Sequence, residues 1–153
     1  MDTHLFGRIT LRAAADNART FGEAFDAPRP PLYGHLAVAR AALEASLIAA
    51  WLNEPGIAYL ERVKRGMCER LYSANEVRQL GIQADANETF AQYEADAISF
   101  GWQPSLDDDG NPSVDGTSRP AIPEGITRLL SRGTSGNPGP LLWSRLSAVT
   151  HAV

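Results

Sequence analysis

An arginine and a histidine near the end of the chain are the residues best suited to acid–base chemistry. Arg145 is followed by five residues and then by His151. An arginine offers a fork of N–H donors to phosphate oxygens, and a histidine can relay a proton near neutral pH. On a helix, the six-residue step leaves the two side chains roughly 120° apart, and His151 shares a helix face with Ser147. The same spacing separates Arg29 from His35, across two prolines that no helix accommodates.

The pattern of Arg145 and His151 resembles the HEPN superfamily, whose all-helical bundles carry an arginine a few residues before a histidine. The resemblance implies a metal-independent endoribonuclease in which the two residues act at the scissile phosphate of RNA, usually across a dimer. Residues 33–73 and the LSAVTH sequence at 146–151 also look similar to small helical proteins of GC-rich bacteria. Because the chain ends two residues after His151, we expect either a frayed last helix or a fragment.

A second group of charges lies inside an otherwise apolar segment. Arg40 and Glu44 are one helical turn apart, and charges are rarely buried without partners. In the next predicted helix, Arg62, Arg65 and Glu69 follow one stripe. We expect the two stripes to form a buried or half-buried ion-pair network. The alternatives are a polar pocket for a ligand or a nucleic-acid phosphate, and a solvated or oligomer-facing stripe. If the pair is buried, Glu44→Ala should lower the stability by roughly 3 kcal/mol or more.

Residue types exclude several other kinds of site. Cys68 is the single cysteine, so an intramolecular disulfide is impossible, and no cysteine–histidine spacing typical of a metal site occurs. The aspartates at 107–109 do not fit the ligand spacing of a calcium-binding loop. No phosphate-binding glycine motif is present. We therefore predict no cofactor and no metal.

Charge is distributed unevenly along a chain of ordinary composition. The 153 residues are 44% hydrophobic and 21% charged, with a net charge of -4. Between residues 81 and 118 there are eight acidic residues and no Lys or Arg, whereas the segment after residue 118 is basic. The net charge therefore does not exclude a nucleic-acid partner.

Apolar periodicity predicts an all-α fold. We expect a helical bundle in a single domain over residues 1–153, built on an antiparallel hairpin of the helices at about 34–53 and 57–80, because only a short turn connects them. A small β-hairpin or a long loop is expected near 101–121, because Asp109-Gly110 and Asp115-Gly116 are turn signals. The predicted helices span 8–25, 34–53, 57–80, 86–100 and about 123–132, with a last helix from Leu141. Gly81 is the predicted C-cap of the helix over 57–80.

The sequence favours a binding role over catalysis. The apolar run that carries Arg40 and Glu44 predicts a core helix rather than a membrane span, and no basic, apolar leader is visible. We predict a cytoplasmic, non-catalytic helical binding or oligomerisation module with a protein partner or a second copy of itself. The alternative is the HEPN-like endoribonuclease acting on RNA through Arg145 and His151.

Overall fold

Helices form most of the part of the chain that is described by the computed structural model, which covers residues 3–29, 34–81, 83–130, 140–144 and 146. The elements are α1 (Thr3–Phe25), α2 (Gly34–Leu52), α3 (Tyr59–Leu80), α4 (Ala86–Ser99), β1 (Pro104–Leu106), β2 (Pro112–Val114), β3 (Thr117–Ser118) and α5 (Ile122–Leu130). A further helical segment covers residues 140–144. The prediction of a mostly helical bundle with a small excursion after the fourth helix is confirmed.

The end of α3 shows how local sequence sets a helix boundary. Gly81 adopts a left-handed conformation with φ of 62°, and its N–H donates to the carbonyl of Arg78. Glycine takes this conformation without the steric cost of a Cβ atom, so it closes the helix. The predicted C-cap at Gly81 is therefore confirmed.

The helical hairpin is formed by α1 and α2, rather than by α2 and α3 as the short connection predicted. Gly7 lies beside Asn53, and the ring of Phe21 lies 6.3 Å from that of His35. The start of α1 is thus next to the end of α2, and the two helices run antiparallel. α3 packs instead against α4 and the strands, because a short connection limits distance but does not choose the packing partner.

Small residues on α1 explain this pairing. The least exposed positions of α1 include Gly7, Thr10, Ala14, Asn17 and Phe21, which repeat at alternating steps of three and four residues. Small side chains let the two backbones approach closely. Ile9 does not belong to this face, since it is 55% exposed.

The excursion after α4 is a three-stranded antiparallel meander in the order β1-β2-β3. Val114 pairs with Thr117 across the two-residue turn Asp115-Gly116. Both turn residues have positive φ, 47° and 75°, as the common type I′ hairpin turn requires. The turn signal at Asp115-Gly116 therefore predicted this connection correctly.

Contacts divide the chain into two compact units. The hairpin unit comprises residues 2–53 and 120–153, and the meander unit comprises residues 54–119. The hairpin unit has buried apolar residues on α1, α2 and α5, namely Ala14, Leu47, Ile48, Ala49, Leu52 and Ile126. The core of the meander unit is formed by α3, α4 and β2, with Val63, Met67, Cys68, Leu71, Ala74, Ala86, Phe90, Ala97 and Val114.

Among the described residues, α2 is the one helix whose length and apolar character would let it cross a membrane. Its mean hydropathy is 1.3. The core helix of a soluble protein meets the same two criteria. Leu47, Ile48, Ala49 and Leu52, near the end of α2, are buried, while most of its earlier residues are half-buried.

Two glycines on helices of the hairpin unit provide a test of its packing. A methyl group on Gly125 would collide with the buried Leu47 side chain, whereas one on Gly22 would meet nothing within 4 Å. We expect Gly125→Ala to lower the free energy of unfolding by about 1 to 3 kcal/mol. Gly22→Ala should raise it by up to about 1 kcal/mol, because alanine favours the helix. Urea unfolding measures both, and equal effects would contradict the close packing of α5 on α2.

Candidate functional site

The two residues of the proposed ribonuclease pair, Arg145 and His151, lie outside the described residues. Leu146, between them, is buried in a helical conformation. The interpretation of Arg145 and His151 as a catalytic pair therefore stays a prediction.

Arg40 and Glu44 contact each other within α2. The Arg40 Nε atom lies 3.5 Å from Glu44 Oε1, and the two side chains are 25% and 32% exposed. The Arg40 guanidinium also lies over the Trp143 ring, 4.3 Å from its centroid. These charges pair within their own helix and lie against an aromatic ring. They are half-buried rather than fully removed from water.

Arg62 and Arg65, near the start of α3, both contact Glu54 in the segment before the helix. Arg65 contacts Glu54 at 2.6 Å and Glu61 at 3.2 Å. Arg62 donates to the backbone carbonyl of Glu54 at 3.3 Å. These residues therefore join α3 to the segment that precedes it.

Glu69, the last residue of the predicted charged stripe on α3, is buried. It faces an arginine that was not among the predicted site residues. Its Oε2 atom lies 3.6 Å from Nε of Arg119, which follows β3. Neither of these two atoms has a hydrogen-bond partner within the described part of the chain. The Arg119 guanidinium also stacks on the Tyr72 ring, at 4.3 Å from its centroid. Glu69, Tyr72 and Arg119 thus connect α3 to the end of the meander.

Burial changes the protonation of two neighbouring groups on α3. Loss of water raises the pKa of Glu69 from its ordinary 4.5 to about 7, although the positive charge of Arg119 acts in the opposite direction. The nearby Glu76 adds to the increase. Burial likewise raises the pKa of the Cys68 thiol to about 12. A thiol that stays protonated near neutral pH is a poor nucleophile, so Cys68 has a packing role.

Three further contacts attach the meander to one face of α3. The Lys64 ammonium lies 3.1 Å from the Asp115 carboxylate in the β2–β3 turn. The Cys68 thiol donates to the Pro112 carbonyl at 3.6 Å, and the Asn75 side chain donates to the Gly110 carbonyl at 2.9 Å. Lys64, Cys68 and Asn75 are spaced at i, i+4 and i+11, so they share a helix face. The buried polar groups of this unit therefore hold its parts together.

Asp107, which follows β1, stabilises its own loop by hydrogen bonds. Asp107 accepts hydrogen bonds from the backbone N–H groups of Asp109 and Asn111, at 3.0 and 2.7 Å. The bonds from Asn111 are the main cause that lowers the pKa of Asp107. Within the described residues, no group of three or more His, Cys, Asp or Glu side chains could hold a metal ion.

An open groove lies where α4 meets β1, and we call it the aromatic groove. It has a volume of about 550 Å³ and is lined by Glu94, Ile98, Gly101, Trp102, Gln103 and Pro104. The Trp102 ring stacks on Phe100 with 5.1 Å between centroids. Ile98 and Phe100 are 62% and 52% exposed. The predicted helix over 86–100 includes Phe100, but α4 ends at Ser99 and the chain turns at Gly101, which leaves the Phe100 ring exposed.

No family model, curated protein or solved structure matches this chain.

The raised pKa of Glu69 predicts a pH-dependent stability. The folded protein holds the Glu69 proton up to a higher pH than the unfolded chain does. The stabilisation that the raised pKa of Glu69 gives to the folded state is therefore fully present below pH 4.5 and is lost as the pH rises to about 7. The Glu69→Gln side chain stays neutral. Between these two pH values, the free energy of unfolding of this variant should therefore rise by about 3 kcal/mol relative to that of the wild type. Urea unfolding at both pH values measures this difference.

Glu88→Gln is the matched control, because Glu88 is exposed on α4. Its difference from the wild type should stay nearly constant over the same pH range. If Glu69→Gln and the wild type lose stability in parallel as the pH rises, Glu69 does not titrate in the way its burial implies.

The partial exposure of Arg40 and Glu44 reduces the expected effect of a substitution. Glu44→Ala should lower the free energy of unfolding by less than about 1 kcal/mol, because half-exposed pairs within one helix contribute little. Arg40→Ala should cost more, since it also removes the contact with Trp143. Chemical denaturation compares the two variants. A loss of about 3 kcal/mol for Glu44→Ala would indicate a fully desolvated pair.

Proposed function

We propose that this protein is a non-catalytic helical module that binds a protein partner through the aromatic groove. The observation that carries the proposal is the exposure of Ile98 and Phe100 beside the half-buried Trp102. Large contiguous patches of exposed apolar side chains mark interaction surfaces, whereas single exposed apolar residues are common on monomers. Tyrosine, tryptophan and phenylalanine are also enriched at protein–protein interfaces.

The form of the groove supports a protein partner. It is open, and its walls combine aliphatic and aromatic groups with the carboxylate of Glu94. A short helix or extended segment can place one or two apolar anchors in such a surface. The carboxylate favours a partner that carries Lys or Arg beside those anchors.

The chemistry of the buried polar residues also favours a binding role. Glu69 and Arg119 are separated by 3.6 Å and are both largely withdrawn from solvent. Cys68 is fully buried, and its raised pKa keeps the thiol protonated. A catalytic acid, base or nucleophile must reach the group on which it acts. These side chains instead contact the meander, which supports an architectural role for them.

A displayed library of random peptides of about 15 residues, long enough for four helical turns, tests the proposal. The protein should enrich peptides that combine Arg or Lys with Leu, Ile or aromatic residues. Phe100→Ser should reduce this binding by about tenfold or more, because it removes an aromatic anchor. Phe100 adjoins the groove by stacking on Trp102. Leu80→Ser is the control, since Leu80 is also exposed and is not a lining residue of the groove. No enrichment, or equal enrichment with Phe100→Ser, would contradict the proposal.

An RNA cleavage assay tests the alternative of a HEPN-like endoribonuclease. The proposed binding role predicts no cleavage of single-stranded RNA in the presence of a chelator. Metal-independent cleavage that disappears in both Arg145→Ala and His151→Ala would overturn the non-catalytic proposal. Cleavage that persists in His151→Ala would also contradict the non-catalytic proposal, but it would exclude the mechanism based on that histidine.

A further inference from the structure

A second exposed surface has chemistry opposite to that of the aromatic groove. It lies on α1, where a shallow depression of about 470 Å³ is lined by Arg8, Ile9, Leu11, Arg12 and Ala15. We call this surface the basic face. Leu11 is 59% exposed at its centre, and Arg8 and Arg12 are exposed on either side. Arg8, Leu11, Arg12 and Ala15 follow steps of three, one and three residues, so they share one side of the helix.

The charges of the two surfaces are complementary. Arg8 and Arg12 have no ion-pair partner among the residues that the structure describes, and neither does Glu94 in the groove. Every charged side chain between residues 81 and 118, the segment that contains the groove, is acidic. A negative groove and a positive helix face attract each other and orient the encounter.

The apolar and aromatic parts of the surfaces are complementary as well. Leu11 is an aliphatic anchor on a helix, and the groove presents Ile98 and Trp102 to receive one. An arginine beside such an anchor can stack on the exposed Phe100 ring, because a guanidinium is attracted to the face of an aromatic ring. This is the usual arrangement of a helix bound in a groove, with anchors at helical spacing.

We propose that the aromatic groove of one molecule binds the basic face of α1 in a second copy of the same chain. This inference rests on the proposed binding function and names its partner. Every molecule carries both surfaces, so the partner is always present at the same concentration. A single groove–face contact is heterologous, whereas two molecules that exchange both contacts form a closed two-fold dimer. Repetition of such a contact joins molecules head to tail, into closed rings or open chains.

Two variants, each with one damaged surface, test the head-to-tail contact. The groove variant is Glu94→Arg with Phe100→Ser, and the face variant is Leu11→Asp with Arg12→Glu. Light scattering after size-exclusion chromatography is measured from about 10 to 300 µM, the range in which a small, transient interface is populated. The wild type should exceed its monomer mass of 16.5 kDa as the concentration rises. Each variant alone should remain monomeric.

A mixture of the two variants is the decisive sample. Each variant keeps one intact surface, so an equimolar mixture should form a dimer and nothing larger. Circular dichroism and thermal unfolding establish that both variants are folded. Leu60→Asp and Asp109→Arg repeat the same kinds of change at exposed positions outside both surfaces, and both should associate like the wild type.

Each of the other outcomes overturns the inference in a distinct way. A wild type that stays monomeric throughout excludes a second copy, and the peptide library then decides whether the groove still binds another partner. Self-association that survives in either variant indicates a contact that does not need the damaged surface, and it overturns the groove–face contact. Two monomeric variants that do not associate when mixed also overturn the head-to-tail contact.

Discussion

The attachment of the meander to α3 is the constraint on which the meander unit depends. Strands of two and three residues cannot form a stable sheet by themselves in water. Here the sheet is held by polar contacts from Lys64, Glu69 and Asn75, and by the burial of Val114 against the helices. The aromatic groove lies between α4 and β1, so its shape depends on the same attachments. β1, which forms one wall of the groove, is held to α3 through its pairing with β2.

The buried carboxylate of Glu69 makes this attachment sensitive to its surroundings. Removal of water favours the neutral form of Glu69, while Arg119 favours the charged form. Because Glu69 Oε2 and Arg119 Nε are 3.6 Å apart and neither atom has a hydrogen-bond partner among the described residues, their attraction does not fully compensate for the loss of hydration. This balance explains why the pKa of Glu69 rises despite a cationic neighbour. It also separates Glu69 from Glu44, which is more exposed and pairs within its own helix.

Prediction from the sequence succeeded where local rules decide the structure. The helices near 34–53, 57–80 and 86–100 were found within about two residues, and Gly81 and Asp115-Gly116 marked a helix end and a turn. The choice of hairpin partner was wrong, because it depends on which helix faces can approach each other. Gly7 and Ala14 bring α1 close to α2, and the apolar periodicity of α1 does not reveal this.

The features of the candidate site also fall into those that the sequence determined and those that only the fold decided. The sequence by itself determined that the chain is helical, that its acid is concentrated in residues 81–118 and that Arg40 and Glu44 are neighbours on one helix. Only the tertiary structure decided that Glu69 meets Arg119, 50 positions away in the sequence, and that Phe100 and Trp102 lie at an open groove. Helical propensity and turn chemistry act between residues a few positions apart, so sequence patterns record them. Desolvation and surface exposure depend on every element packed around a side chain, and only the folded chain specifies them.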